Sequence, residues 1–90
     1  MNRRLAEIYR IHASAQYPRG REDLALVDSL AAGSVHIWLT NDGALDDARW
    51  TSLAEQEQQL IHAIPQLTGP SRFYFQRLLD MVVLVLESTD

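Results

Sequence analysis

"SVHIWLT", residues 34–40, can be read as a strand or as part of a helix. Its β-branched and aromatic residues suit a strand, and "MVVLVLE" (81–87) offers a second run of the same kind to pair with it. Two such strands would make an α+β protein. The helical reading is preferred because each run continues an amphipathic helical pattern without a breaker between. A two-stranded sheet would also be marginal by itself.

Outward from this stretch, turn residues divide the chain into four helical segments. The first, roughly 2–16, places Leu5, Ile8, Tyr9, His12 and Ala15 on one face. It ends at "QYPRG", where Pro18 restricts the residue before it and Gly20 follows. The second opens on Glu22 and Asp23, acids that suit a helix N-terminus. Its main stripe is Leu24, Val27, Ala31, Ser34, Val35 and Trp38, while Leu26, Leu30 and Ile37 lie on another side. "TNDG" stops it, with Gly43 suited to a left-handed C-terminal cap. Asp46 is a good N-cap for the third segment, Asp47 favours its positive end, and Pro65 halts it after Ile64. Pro70 suits the first turn of the fourth. The expected architecture is all-α: a single domain over residues 1–90, an antiparallel bundle of four helices with short connections.

The third segment contains an acid in an unexpected place. Trp50, Leu53, Ala54, Ile61 and Ile64 share one face, and Glu57 falls near the middle of that stripe. His12 occupies the equivalent position on the first helix. Counted from starts near Arg3 and Asp47, His12 is nine residues along and Glu57 ten, so parallel helices would bring them to similar heights. A contact between them would suit general acid–base chemistry. The preferred reading is a buried polar pair, because no nucleophile or oxyanion donor accompanies it.

Other catalytic signals are missing. There is no cysteine, which removes disulfides, thiolate nucleophiles and Cys-type zinc sites. His36 and His62 lack metal-ligand spacing with any other histidine. Aligning Gly43 with the glycine of a calcium loop puts Trp38 and Arg49 at ligand positions, which excludes an EF-hand. No glycine-rich phosphate loop, nucleophile elbow or zinc motif occurs. No catalytic residue, cofactor or metal is therefore expected, and the chain is read as a binding protein, not an enzyme.

Charge and apolar excess describe the partner. All eight basic residues are arginine, and the net charge is −4. Residues 1–21 carry five arginines against Glu7, whereas residues 22–71 carry eight carboxylates against Arg49. The acidic centre argues against nucleic acid and favours a basic partner, such as the rim of a phosphate pocket. The second helix is apolar on two sides and "MVVLVL" wraps entirely round the fourth, which leaves either a central, fully buried helix or a surplus for a homodimer or permanent partner. Trp38 and Trp50 are candidate anchors in such a contact. "MVVLVL" is too short to span a bilayer, and "MNRRLAEIYR" lacks the apolar run of a signal peptide, so a soluble cytoplasmic protein with no membrane partner is expected.

Three features together resemble a known family. "AQYPRG" (15–20) ends the first helix with a Tyr-Pro turn, a long second helix follows, and "ALDDARW" (44–50) opens the third with Leu-Asp. This layout resembles the small all-helical immunity proteins that protect bacteria from type VI secretion effectors, in particular those guarding against NAD-degrading or related nucleotide-targeting toxins. The resemblance covers most of the chain but no motif of the fourth segment. It implies an inhibitor that binds its cognate toxin and blocks the active site. The expected partner contacts are Asp42, Asp46, Asp47 and Glu55, with Trp38 or Trp50 nearby. The alternative is a small regulator that sequesters a transcription factor through the apolar second and fourth helices.

Overall fold

Asn2 opens the first helix by accepting the backbone N–H of Leu5 on its side-chain oxygen at 2.9 Å. In the computed structural model, which describes residues 2–88, helix α1 then runs Arg3–Ser14. A single 3-10 turn over Glu22–Leu24 leads into α2, Ala25–Thr40. Helix α3 spans Asp47–Ala63 and passes into a 3-10 turn, Ile64–Gln66, at Pro65. Helix α4 spans Gly69–Glu87 with Pro70 in its first turn. Both β-branched runs are helical, and no strand occurs among the described residues. The protein is an all-α bundle of four helices.

The helix ends follow local chemistry. Asp46 caps α3, its side chain accepting the N–H of Arg49 at 2.8 Å. At the end of α2 the N–H of Gly43 reaches back to the carbonyl of Trp38 at 2.9 Å. Such a bond spanning six residues is a Schellman closure, and its left-handed residue is Asp42 (φ 51°), with Gly43 also left-handed at 78°. The cap expected at Gly43 is therefore shared with the aspartate before it, which tolerates that region better than most side chains. A methyl at Gly43 would be strained by its φ and would lie 3.3 Å from the Trp38 ring. Gly43→Ala is expected to cost about 1–2 kcal/mol, read as a lower urea midpoint at unchanged slope.

Packing is organised by α4, which touches all three other helices. Tyr74, Leu78, Met81 and Val85 recur at 4-3-4 spacing on its buried face, flanked by buried Phe75 and Val82. This central position absorbs the apolar excess of "MVVLVL": Val83, Leu84 and Leu86 are half-buried too. Helix α2 contributes Ala31 and Val35, α3 Leu53 and Leu60, and α1 Leu5, all at 0% exposure. Each such leucine or valine side chain stabilises the fold by about 1.5–3 kcal/mol when removed from water. The Tyr-Pro turn closes one end. Tyr17 donates its hydroxyl to the Arg21 carbonyl at 2.5 Å and presents its ring edge-on to Tyr74 and Phe75.

Two expectations about α3 and α1 are corrected. The buried face of α3 is Leu53, Gln56 and Leu60, continued by Ile64, while Glu57 is only half-buried and Ile61 is 45% exposed. The helix is turned by about 60° from the stripe centred on Glu57, less than one residue step. An uncharged amide costs less to bury than a carboxylate, and the Gln56 amide nitrogen donates to Ser52 Oγ at 2.8 Å. A carboxylate gains nothing comparable there. Helices α1 and α3 share no contact, because α2 and α4 meet between them. His12 consequently pairs elsewhere, and the His12–Glu57 pair does not form.

Candidate functional site

His12 is the most chemically suggestive side chain in the core, 4% exposed as a residue. Its Nε2 lies 2.9 Å from Asp28 Oδ1 on α2, and Arg77 Nε on α4 donates to its Nδ1 at 3.3 Å. Arginine only donates, so Nδ1 must accept and Nε2–H must donate to the carboxylate. Tyr74 donates to the other Asp28 oxygen at 3.0 Å and stacks its tilted ring 4.4 Å from the imidazole. The Arg77 guanidinium lies 5.5 Å over the Tyr74 ring. Burial, together with the carboxylate of Asp28, pushes the Tyr74 hydroxyl well above its ordinary range.

This cluster ties α1, α2 and α4 together. Both imidazole nitrogens, both Asp28 oxygens and the Tyr74 hydroxyl are engaged within it. No ring nitrogen is left to exchange a proton with a substrate, so its geometry is that of a structural network. The sequence contained a clue to it. Leu24, Asp28, Ala31 and Val35 recur at 4-3-4 spacing, which places Asp28, not Glu57, at the centre of a buried stripe.

The second candidate lies on the surface between α2 and α3. Leu26, Leu30, Gly33 and Ile37 also follow 4-3-4 spacing, on a side of α2 that the core does not use. Leu26 is 69% and Leu30 47% exposed. This seam forms one wall of a groove whose other wall comes from α3. Leu30, Gly33 and Ile37 face Asp46, Ala48 and Ser52 along one length, and Leu26 and Leu30 face Glu55 and Gln59 along the next. Shared Leu30 and Ser52 make the two lengths continuous.

The six expected partner residues fall into two groups. Asp42, Asp46, Asp47 and Glu55 are exposed. Asp46 and Glu55 line the groove, about 13 Å apart along α3, whereas Asp42, on the connecting turn, and Asp47, in the first turn of α3, are exposed but not among its lining residues. Trp38 and Trp50 are half-buried and pack against the core. Trp50 is five residues from Glu55 and so points to a different side of α3, by about 140°. Of the six, Asp46 and Glu55 share the groove; neither tryptophan lines it, and the Trp38 ring lies against the turn at Gly43, next to Asp42. A more exposed aromatic, Phe73 at 75%, sits on α4 and was not singled out from sequence.

Asp46 serves two purposes at this edge. The Arg49 N–H, and then the Arg49 guanidinium at 2.5 Å, hold its carboxyl below the usual carboxylate range. A depressed value in the folded chain favours folding above the ordinary aspartate range, and that contribution is lost as pH falls through the depressed value. Of the remaining histidines, His62 is exposed and donates from Nδ1 to the Gln58 carbonyl at 2.7 Å, and exposed His36 lies 5.6 Å from the Tyr9 ring. Among the described residues no group of three or more His, Asp or Glu side chains could hold a metal ion, and no helix is long and apolar enough to cross a membrane. No protein-family model, curated protein or solved structure matches the chain.

Proposed function

We propose that this chain is a bacterial immunity protein, an inhibitor that binds a cognate effector toxin in the cytoplasm and blocks its active site through the α2–α3 face. The observation that carries the reading is that Asp46 and Glu55 line the α2–α3 groove, while Asp42 and Asp47 are exposed beside Asp46 in the sequence. A toxin domain that uses a nucleotide or another phosphate-bearing substrate needs a basic cleft, and an acidic surface is the complement of one. The layout shared with type VI immunity proteins, including the Tyr17–Pro18 turn and the Leu45–Asp46 opening of α3, points the same way.

The test is protection. Cells expressing the toxin encoded beside this chain should survive when the wild-type protein is present, and failure to rescue them would sink the proposal. Asn retains the N-cap function of Asp46, so Asp46→Asn with Asp47→Asn removes charge without removing the cap. The double variant is expected to associate about tenfold more slowly at low salt, with a flatter salt dependence.

A second reading is favoured by the exposure of Leu26 and Leu30 on α2: a regulator that sequesters a transcription factor by apolar contact. In that case the double Asn variant binds almost as well as wild type. A homodimer through the same leucines is a further outcome of the same experiment, seen as a doubled mass in sedimentation.

A further inference from the structure

We infer that the α2–α3 groove receives a cationic amphipathic helix of the partner protein, laid along the outer seam of α2. The inference rests on the reading that this face binds a protein, and it names the element that is bound. Three independent observations carry it. The first is spacing. Leu26, Leu30, Gly33 and Ile37 repeat at intervals of four and three, the pattern by which one helix meets another at a shallow angle. The core uses a different side of α2, and Leu26, Leu30 and Gly33 of this repeat are exposed while Ile37 is half-buried.

The second is charge. Asp23, Asp46 and Glu55 line the groove against one lining cation, Arg49; Arg49 bridges Asp46 at 2.5 Å and Arg21 bridges Asp23 at 2.8 Å, which leaves Glu55 outside these ion pairs. An occupant with arginine or lysine beside its apolar stripe meets Glu55 directly, within a lining of three carboxylates and one arginine that stays net negative. A second copy of this chain does not fit as well. Seams paired α2 to α2 would bring the same acids of two copies together, on a protein whose net charge is −4.

The third is an unmet polar group. Gln56, 4% exposed, lines the groove, and its Oε1 has no hydrogen-bond partner although the amide nitrogen is satisfied by Ser52. A buried acceptor left alone is costly. A lysine or arginine of the occupant is the kind of donor this acceptor lacks. Gly33, Ala48 and Ser52 keep the walls low, so an incoming helix can approach closely.

The experiment uses the full chain and three synthetic 18-residue peptides with a fluorescent label. One carries leucines at 4-3 spacing flanked by arginines. The second has glutamates in place of the arginines. The third has the first peptide's composition scrambled to break the seam. The arginine peptide should bind at least tenfold more tightly than either control and shift the backbone resonances of Leu26, Leu30, Gly33, Ile37 and Gln56. Leu26→Ser with Leu30→Ser should weaken it at least tenfold and leave the unfolding midpoint unchanged, since both side chains are exposed. Equal binding of the scrambled peptide, resonance shifts confined to another face, or a dimer that dissociates with the double Ser variant would each overturn the inference. Toxin protection separates it from the broader reading. If the double Ser variant protects cells as well as wild type, the groove is not the docking element and the inhibitor reading survives. If wild type protects no cells yet the arginine peptide binds as expected, the groove stands and the immunity reading falls.

Discussion

Phe75→Ala is expected to remove about 3–5 kcal/mol of folding stability. Phe75 has no exposed surface and is among the largest fully buried side chains. It meets Tyr74 edge-on at 5.0 Å and Tyr17 at 6.0 Å between ring centroids. It sits on α4, the helix on which all the others pack, so no neighbouring element is free to collapse into the void. A domain of this length has only about 5–10 kcal/mol in hand. The variant should therefore be partly unfolded at 37 °C and show a sharply lowered urea midpoint by far-ultraviolet circular dichroism. Phe73→Ala, two residues away and 75% exposed, should change stability by less than about 0.5 kcal/mol. A loss below about 1 kcal/mol at Phe75 would mean that α4 is not the hub of the core.

Asp28→Ala is expected to cost about 3–5 kcal/mol, because it leaves two buried donors without an acceptor. His12 Nε2–H and the Tyr74 hydroxyl both end on this carboxylate, and their residues are 4% and 7% exposed. Asp28→Asn should fall between wild type and Asp28→Ala, since an amide offers one oxygen to accept and sets N–H against the other donor. Tyr74→Phe deletes a donor without stranding a carboxylate that still bonds His12, and should cost about 1 kcal/mol. The same hydroxyl predicts a pH signature. Its ionisation is raised above the ordinary value of 10.0 by burial and by Asp28. The folded state therefore keeps this proton more tightly than the unfolded chain, so the contribution is fully present below pH 10 and is lost as pH rises towards the raised value. Tyr17, raised chiefly by burial, acts in the same direction. Tyr74→Phe should flatten the alkaline loss of stability, and an unchanged profile would refute the assignment.

What could be read from residue order alone was local. Caps and breakers act within a few positions, so Asp46, Pro18, Pro65 and Pro70 marked helix ends that the fold keeps. Unbroken periodicity through 34–40 and 81–87 was enough to make both runs helices despite their β-branched residues. The exposure of Asp42, Asp46, Asp47 and Glu55 was legible for the same reason, since carboxylates around a turn need no knowledge of what packs behind them. Asp28 was equally visible in the 4-3-4 stripe of α2, but nothing local named its partners. His12, Tyr74 and Arg77 come from helices α1 and α4, and the distance in sequence from His12 to Arg77 is 65 residues.

Only the assembled bundle could choose between helix phases that apolarity ranks almost equally. On α3, Trp50, Leu53, Ala54, Ile61 and Ile64 suggested a face centred on Glu57, whereas packing between α2 and α4 kept Leu53 and Ile64 and selected Gln56 and Leu60 beside them. A hydrophobic stripe specifies that a side must be covered. Which neighbours cover it, and from what angle, is a property of all four helices at once. The contact of α2 with α4 separates α1 from α3, sends His12 to Asp28, and leaves the Leu26–Leu30–Gly33–Ile37 seam facing solvent beside the acids. Periodicity requires nothing beyond one helix to be seen, but a diagonal contact, and the groove it leaves open, exist only after the helices have met.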